Sequence, residues 1–289
     1  MTTNKNTLEH IIHGIFLLMG LVAVGCVLLI TVYLVLSGIP AILEIGLIDF
    51  LFGKEWASTA TDPKYGIWAF ILTSIYGTAG AIVIGVPIGF MTAVYLSKIA
   101  SPKVKSMMQS AVSLLAGIPS VVYGLVGMLV LVPGIRKIFG VPDGASLLAA
   151  IIVLAIMILP SIIKMSITAL DAVPKEYEDA SLALGATPIE TYFKVSVPAA
   201  KSGIAAAVVL GVGRAIGEAM AVMMVAGNVP NMPDSIFQSV RFLTTAVSSE
   251  MAYSSDLQQQ ALFSIALVLF LFIMLINATL NFFLKRETE

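Results

Sequence analysis

The sequence predicts an all-α, polytopic membrane protein with six transmembrane helices, and three observations carry that expectation. The chain of 289 residues is 58% hydrophobic and 11% charged, against about 25% charged in a typical soluble domain. Six apolar stretches reach the about 20 residues that a helix needs to cross a hydrocarbon core: roughly 12–36, 67–96, 107–132, 146–172, 202–228 and 260–284. Lys and Arg then divide unequally between the two sets of span ends. Lys5, Lys98, Lys103, Lys105, Lys164, Lys175, Lys194, Lys201, Lys285 and Arg286 fall on one side, and Lys54, Lys64, Arg136, Lys137 and Arg241 on the other. The richer side is expected in the cytoplasm, with both termini.

Composition also excludes function classes. A net charge of −1 and a pI near 6.1 lack the basic excess of a nucleic-acid binder. Cys26 is the only cysteine, so neither a disulfide framework nor a thiolate metal site is available. His10 and His13 have no third ligand nearby in sequence and read as the interfacial start of a helix, with no metal and no cofactor expected.

Taken in order, the first apolar run exceeds the ~7–15 residues of a signal-peptide core and has no small-x-small site after it, so it reads as a retained helix. The loop that follows carries Trp56, Tyr65 and Trp68, residues suited to a membrane–water interface. The 97–106 connection is short and basic. The last outer loop, about 229–258, has room for a short helix lying on the surface. Residues 1–66 thus form a first helix plus outer loop, 67–284 a five-span core, and 285–289 a tail.

The connection from Asp171 to Gly203 is far longer than a turn and carries its own punctuation. Lys175 to Leu184 favours helix, with Tyr177, Ala180, Ser181 and Leu184 on one face. Gly185 sits where a helix end favours a left-handed residue. Thr187 then caps a second helix, Pro188 takes its first position and Glu190 completes a T-x-x-E capping box. Such an element reads as a docking surface.

The stretch "GVGRAIGEAM", 211–220, places Arg214 and Glu218 in the fifth apolar run. On insertion scales each charge at a helix centre costs about 2.5–3.5 kcal/mol, so the pair is expected to face protein or a water-lined cavity. In a continuous helix they lie at i, i+4 and can neutralise one another. Gly213 and Gly217 form a G-x-x-x-G that would admit a neighbouring helix. Two roles stay open: an internal ion pair that orients the helix, or an anion path in which Arg214 meets a small oxyanion through its planar fork and Glu218 positions it. No G-x-x-x-x-G-K-[ST] is present, so ATP hydrolysis would reside in another chain, and no catalytic residues are expected here.

"DASLALGATPIETYFKVSVP" resembles the cytoplasmic signature of ABC importer permeases, E-A-A-x3-G-x9-I-x-L-P. Asp179, Ala180 and Ser181 take the first three places, Gly185 the glycine, Val195 and Val197 the aliphatics and Pro198 the proline. Asp for Glu and Ser for Ala are departures. The resemblance implies type I importer permease architecture, with a coupling helix at about 175–190 that docks on an ATPase through Glu178, Asp179, Ala180, Ser181, Gly185 and Pro198. "GVGRAIGEAMAV", "LLAGIPSVVYGLVG" and "FLFGKEW…YGIW" are similar to the PstC family of phosphate-importer permeases rather than the PstA family. That resemblance spans about residues 12–284. It implies half of a phosphate pathway, a PstA-like partner permease, two PstB-like ATPase subunits and a PstS-like phosphate-binding protein, in the cell membrane. It also puts Arg214 and Glu218 on the path. Ser120 and Tyr123 are polar at membrane depth and are second-rank path candidates, with helix packing as the competing role. A permease for phosphonate, sulfate or molybdate is the alternative. A membrane scaffold or a secondary transporter with interrupted helices is a reading from another class.

Overall fold

In a computed structural model of the chain, residues 3–286 are described. The last residues of the expected tail, 287–289, and the side chains of Lys5, Lys285 and Arg286 lie outside the described residues. Among the described residues, five helices are long and apolar enough to cross a membrane. They become six when Pro188–Ala199 and Lys201–Gly217, bent by 72° at their junction, count as one span.

The first helix, α1 (Thr3–Ile45), runs past the expected end at 36 and through Pro40. A proline inside a helix costs about 3 kcal/mol, and here packing holds the helix together: Ala41 is buried, and Ile42 and Ile45 lie against the outer-loop core. Apart from this end, α1 touches the rest mainly through the last helix, α14. Tyr33 meets Phe263 edge-on at 5.4 Å, and Ser264 Oγ donates to the Gly38 carbonyl at 2.5 Å.

The short α2 (Leu47–Phe52) leads to a two-stranded hairpin, β1 (Trp56–Ala57) and β2 (Lys64–Tyr65), with Trp56 opposite Tyr65. Trp56 and Tyr65 are buried and packed edge-on at 5.5 Å, in one cluster with Phe50 and Phe70. These two make the core of this loop because the hairpin folds back on the helix ends.

The second span is α3 (Trp68–Val94), extended by a π-helical turn, Tyr95–Ile99. It lies along the central helix α7 (Leu147–Asp171), capped by Ser146. A Cβ on Gly85 would come within 2.7 Å of the Ile158 side chain and 3.1 Å of the Ala155 carbonyl, so glycine favours this close packing of the two helices. Burial of α7 is the deepest of the spans, 67% of its apolar window.

The third span departs from expectation. In place of one helix over 107–132, α4 (Pro102–Gly117) ends at Ile118 and a new helix starts at Ser120. Ile118 precedes Pro119 and is extended (ψ 128), as the proline ring demands of its neighbour. The spanning unit is α5 (Ser120–Val126), a π turn Gly127–Leu131, and α6 (Val132–Phe139). The basic 97–106 loop shrinks to two residues, and Lys103 and Lys105 stand in the first turn of α4.

After α7 come α8 (Lys175–Ala183), α9 (Pro188–Thr191), a π turn Tyr192–Ser196, α10 (Val197–Ala199) and α11 (Lys201–Gly217). Then α12 (Met220–Val225) restarts helix within the fifth apolar run. The expected surface helix of the last outer loop is α13 (Leu243–Glu250). It is wedged rather than surface-lying, with Leu243, Thr244, Thr245 and Ala246 buried. The chain closes with α14 (Asp256–Arg286).

Candidate functional site

The α8–α10 element follows its sequence punctuation closely. Gly185 adopts φ +87, the left-handed region that ends α8 without Cβ strain. The Glu190 amide donates to Thr187 Oγ1 at 3.3 Å, and Glu190 Oε2 accepts from the Thr187 amide at 3.1 Å. That amide, then Lys194 and the Thr187 hydroxyl, hold the Glu190 carboxyl down at about 2. Pro198 sits at the start of α10 and cannot donate back along the helix, which fits the 72° bend two residues later.

One side of this element is bonded to the spans. Glu178 Oε1 lies 2.6 Å from Lys98 Nζ and accepts from Ser196 Oγ at 2.8 Å. Ser181 and Thr191 share a hydroxyl contact at 2.9 Å. Close by, Asp171 accepts from Ser97 Oγ at 2.6 Å and pairs with Lys105 at 2.8 Å. The other side is open: Asp179, Ala180, Gly185 and Pro198 are exposed. So are Tyr177, Leu182, Leu184, Ile189 and Phe193, with Leu184 at 90%. Of the six residues expected to dock on an ATPase, Glu178 and Ser181 thus face inward, holding the element, while the other four lie on its free surface.

Arg214 and Glu218 do not form the expected pair. The α11 helix ends at Gly217, and Glu218 is extended (ψ 127). Its carboxylate turns the other way and accepts from the Ala221 amide at 3.1 Å, while its carbonyl accepts from Thr244 Oγ1 at 2.9 Å. The carboxylate at the start of α12 and the brace from α13 together stabilise the break. This is the interrupted helix that the sequence did not reveal. Gly213 and Gly217 have nothing within 4 Å of an added Cβ, so no helix among the described residues packs on the G-x-x-x-G.

Without Glu218, the Arg214 guanidinium has no hydrogen bond or ion pair among the described residues. It lines an open groove of about 740 Å³ together with Ser161 of α7 and Asn277 of α14. These two polar side chains are also without hydrogen-bond partners among the described residues. Arg214 lies thirteen residues into α11, about 20 Å along its axis. Sequence reasoning searched the spans for charge and passed over Ser161 and Asn277; a search for any polar residue inside an apolar run would have found both. Ser120 and Tyr123 divide. Tyr123 spends its hydroxyl on the Leu115 carbonyl at 2.8 Å, tying α5 to α4. Ser120 is the first residue of α5 and half-buried.

Residues 85–288 match the family of binding-protein-dependent transport system inner membrane components. The chain belongs to this family. It is 41% identical over 266 residues to the probable ABC transporter permease protein YqgH of Bacillus subtilis, covering 89% of this chain and 86% of that one. It is 33% identical to the phosphate transport system permease protein PstC of Haemophilus influenzae, covering 83% and 84%. The PstC of Pasteurella multocida is likewise 33% identical, over 77% and 75%. Among solved structures, the inward-facing MetNI methionine ABC transporter superposes with a TM-score of 0.59 at 21% identity, over 78% of this chain and 95% of that one. An amino acid ABC transporter does so at 0.55. The fold is thus that of ABC importer permeases. The family match begins within α3 and leaves out α1 and the first outer loop.

Proposed function

We propose that the chain is one permease subunit of an ATP-driven phosphate importer. It would be paired with a PstA-like permease, two PstB-like ATPases and a PstS-like binding protein. Its core would be 67–284, with α1 and its loop as an added unit. The Lys and Arg asymmetry supports placing the 171–203 end and both termini in the cytoplasm. The observation that carries the reading is Arg214: a guanidinium at membrane depth, in an open groove, with every donor unspent among the described residues. A guanidinium at that depth without a counter-charge is costly, and two oxygens of a tetrahedral phosphate would satisfy its planar fork. Asn277 and Ser161 would add neutral donors without competing for the charge. Glu218 would act by shaping the helix break beneath the site rather than by touching the anion.

The same arrangement suggests how ATP would drive the path. The exposed apolar face of α8 and α9 is the surface offered to the ATPase. Its inner side is fastened to the end of the second span by Lys98, Glu178 and Ser196. It continues through the 72° bend into α11, the helix that carries Arg214. A push on α8 would therefore tilt Arg214 as part of one body.

The decisive experiment is uptake of labelled phosphate at micromolar concentration by cells lacking a high-affinity importer. They would express the four subunits with either the parent chain or Arg214→Ala. Lost uptake with intact ATPase association is the expected result. Unchanged uptake returns Arg214 to a packing role. Because guanidinium, amide and hydroxyl also suit phosphonate, sulfate or molybdate, uptake of one of these by the parent in place of phosphate would keep the transport reading and change its substrate.

A further inference from the structure

We infer that Lys164 is a second cationic station, placed between Arg214 and the 171–203 end, through which the oxyanion leaves. The inference rests on the transport reading above. Lys164 stands seven residues before the end of α7, about 10 Å inside it, with Ser161 one turn deeper at about 15 Å. It is exposed, and its ammonium has neither hydrogen bond nor ion pair among the described residues. Two other lysines at this end, Lys98 and Lys105, are by contrast paired with Glu178 and Asp171.

What Lys164 belongs to follows from the burial of α7. Ile162, Ile163, Ser166 and Ile167 are enclosed, whereas Ser161, Lys164, Met165 and Thr168 form one open strip at i, i+3, i+4, i+7. On that strip Ser161 and Met165 line the Arg214 groove. Lys164 and Thr168 line a second groove of about 300 Å³, whose far wall on α4 carries Gln109 and Ser113. The strip thus runs from one groove to the next, toward the 171–203 end. Besides Val112, Ile163 and Ile167, this groove sets the Gln109 amide and the Ser113 and Thr168 hydroxyls around the ammonium. Two unpaired cations one behind the other suit an anion that must be held in turn and then released, since a lone deep arginine would retain it.

The test uses the complete four-subunit complex in proteoliposomes, with Cys26→Ser as background and Lys164→Cys added. The thiol would be modified after purification and before reconstitution. Loss of the ammonium is expected to lower phosphate uptake by about tenfold. A cationic methanethiosulfonate reagent should restore it and an anionic one should not. Unchanged uptake in Lys164→Cys overturns the proposal. So does equal response to the two reagents, or a thiol that neither reaches. If the Cys variant fails to assemble with the ATPase, Lys164→Gln against Lys164→Arg reads the same charge dependence. A parent that moves sulfate instead of phosphate overturns the substrate reading alone, and the same arms read with sulfate still decide Lys164.

Discussion

Lys98 Nζ lies 2.6 Å from Glu178 Oε1, joining the end of the second span to the α8 helix, with side chains only 11% and 19% exposed. Because Ser196 donates to the same carboxylate, one acidic group fastens three segments that are distant in sequence. These contacts tie the α8–α10 element to the end of the second span.

Glu178→Gln would leave Lys98 nearly enclosed without its counter-charge, and destabilisation by about 2 kcal/mol is expected. The purified complex should show it as a lowered Tm, and ATP turnover should persist with less phosphate moved per ATP. The pH dependence has a definite sign. Burial pushes the Glu178 carboxyl up, but hydrogen bonds from Lys98 and Ser196 and the charges of Lys98 and Lys175 outweigh it, leaving the group below its ordinary 4.5. A lowered folded value gives stability that is full above 4.5 and lost as pH falls through the folded value. The parent's Tm should decline more steeply than that of Glu178→Gln below pH 4.5, and a parallel decline would contradict the assignment.

Thr187→Ala removes the hydroxyl that caps α9 and should cost about 1 kcal/mol locally. Hydrogen exchange at the Glu190 and Thr191 amides should quicken while the spans stay protected. Since the Glu190 carboxyl is held at about 2, its contribution is complete above its ordinary value near 4.5 and fades only toward pH 2. The cap should therefore hold at pH 4. Quickened exchange already at pH 5 would sink this account.

At the helix break, the role of Glu218 separates by chemistry. Glu218→Gln keeps an oxygen for the Ala221 amide and should retain assembly and most uptake. Glu218→Ala removes the cap of α12 and should lower stability by about 1 kcal/mol. Thr244→Val, which withdraws the brace on the Glu218 carbonyl, should act in the same direction as Glu218→Ala. Uptake abolished in a fully stable Glu218→Gln variant would show instead that the charge itself meets the anion.

On the opposite face, Arg241 pairs with Glu250 and donates to the Asn228 carbonyl at 3.0 and 2.8 Å. The Glu250 carboxylate also accepts from Trp56 at 3.2 Å, Ser58 at 3.1 Å and Gln258 at 3.0 Å. Both charges are mostly enclosed, so Arg241→Ala should cost about 3 kcal/mol by stranding a carboxylate. Adding Glu250→Gln should recover part of the lost Tm. An additive double variant would argue against the pairing.

Much of this molecule was legible in its residues. Apolar runs pointed to a polytopic membrane fold because a bilayer demands a minimum helix length, and five or six helices among the described residues meet it. Gly185, Thr187, Pro188 and Glu190 fixed the α8–α9 turn because caps and left-handed glycines act over three or four residues. The arginine in "GVGRAIGEAM" marked the groove because a charge at that depth needs a reason.

What the sequence could not determine depends on long-range contact. Whether 202–228 stays one helix was decided by Thr244, which reaches the Glu218 carbonyl from the far side of the outer loop, and by the carboxylate's choice of Ala221 over Arg214. The persistence of α1 through Pro40 was decided by packing against the outer-loop core. Trp56 and Tyr65 became core residues because the hairpin folds onto Phe50 and Phe70. Ser161, Lys164 and Asn277 gained significance only when α7, α11 and α14 set them along shared grooves. Local chemistry chooses helices, caps and turns, but the free energy that opens a helix or leaves a cation unpaired comes from neighbours that lie far away in the chain.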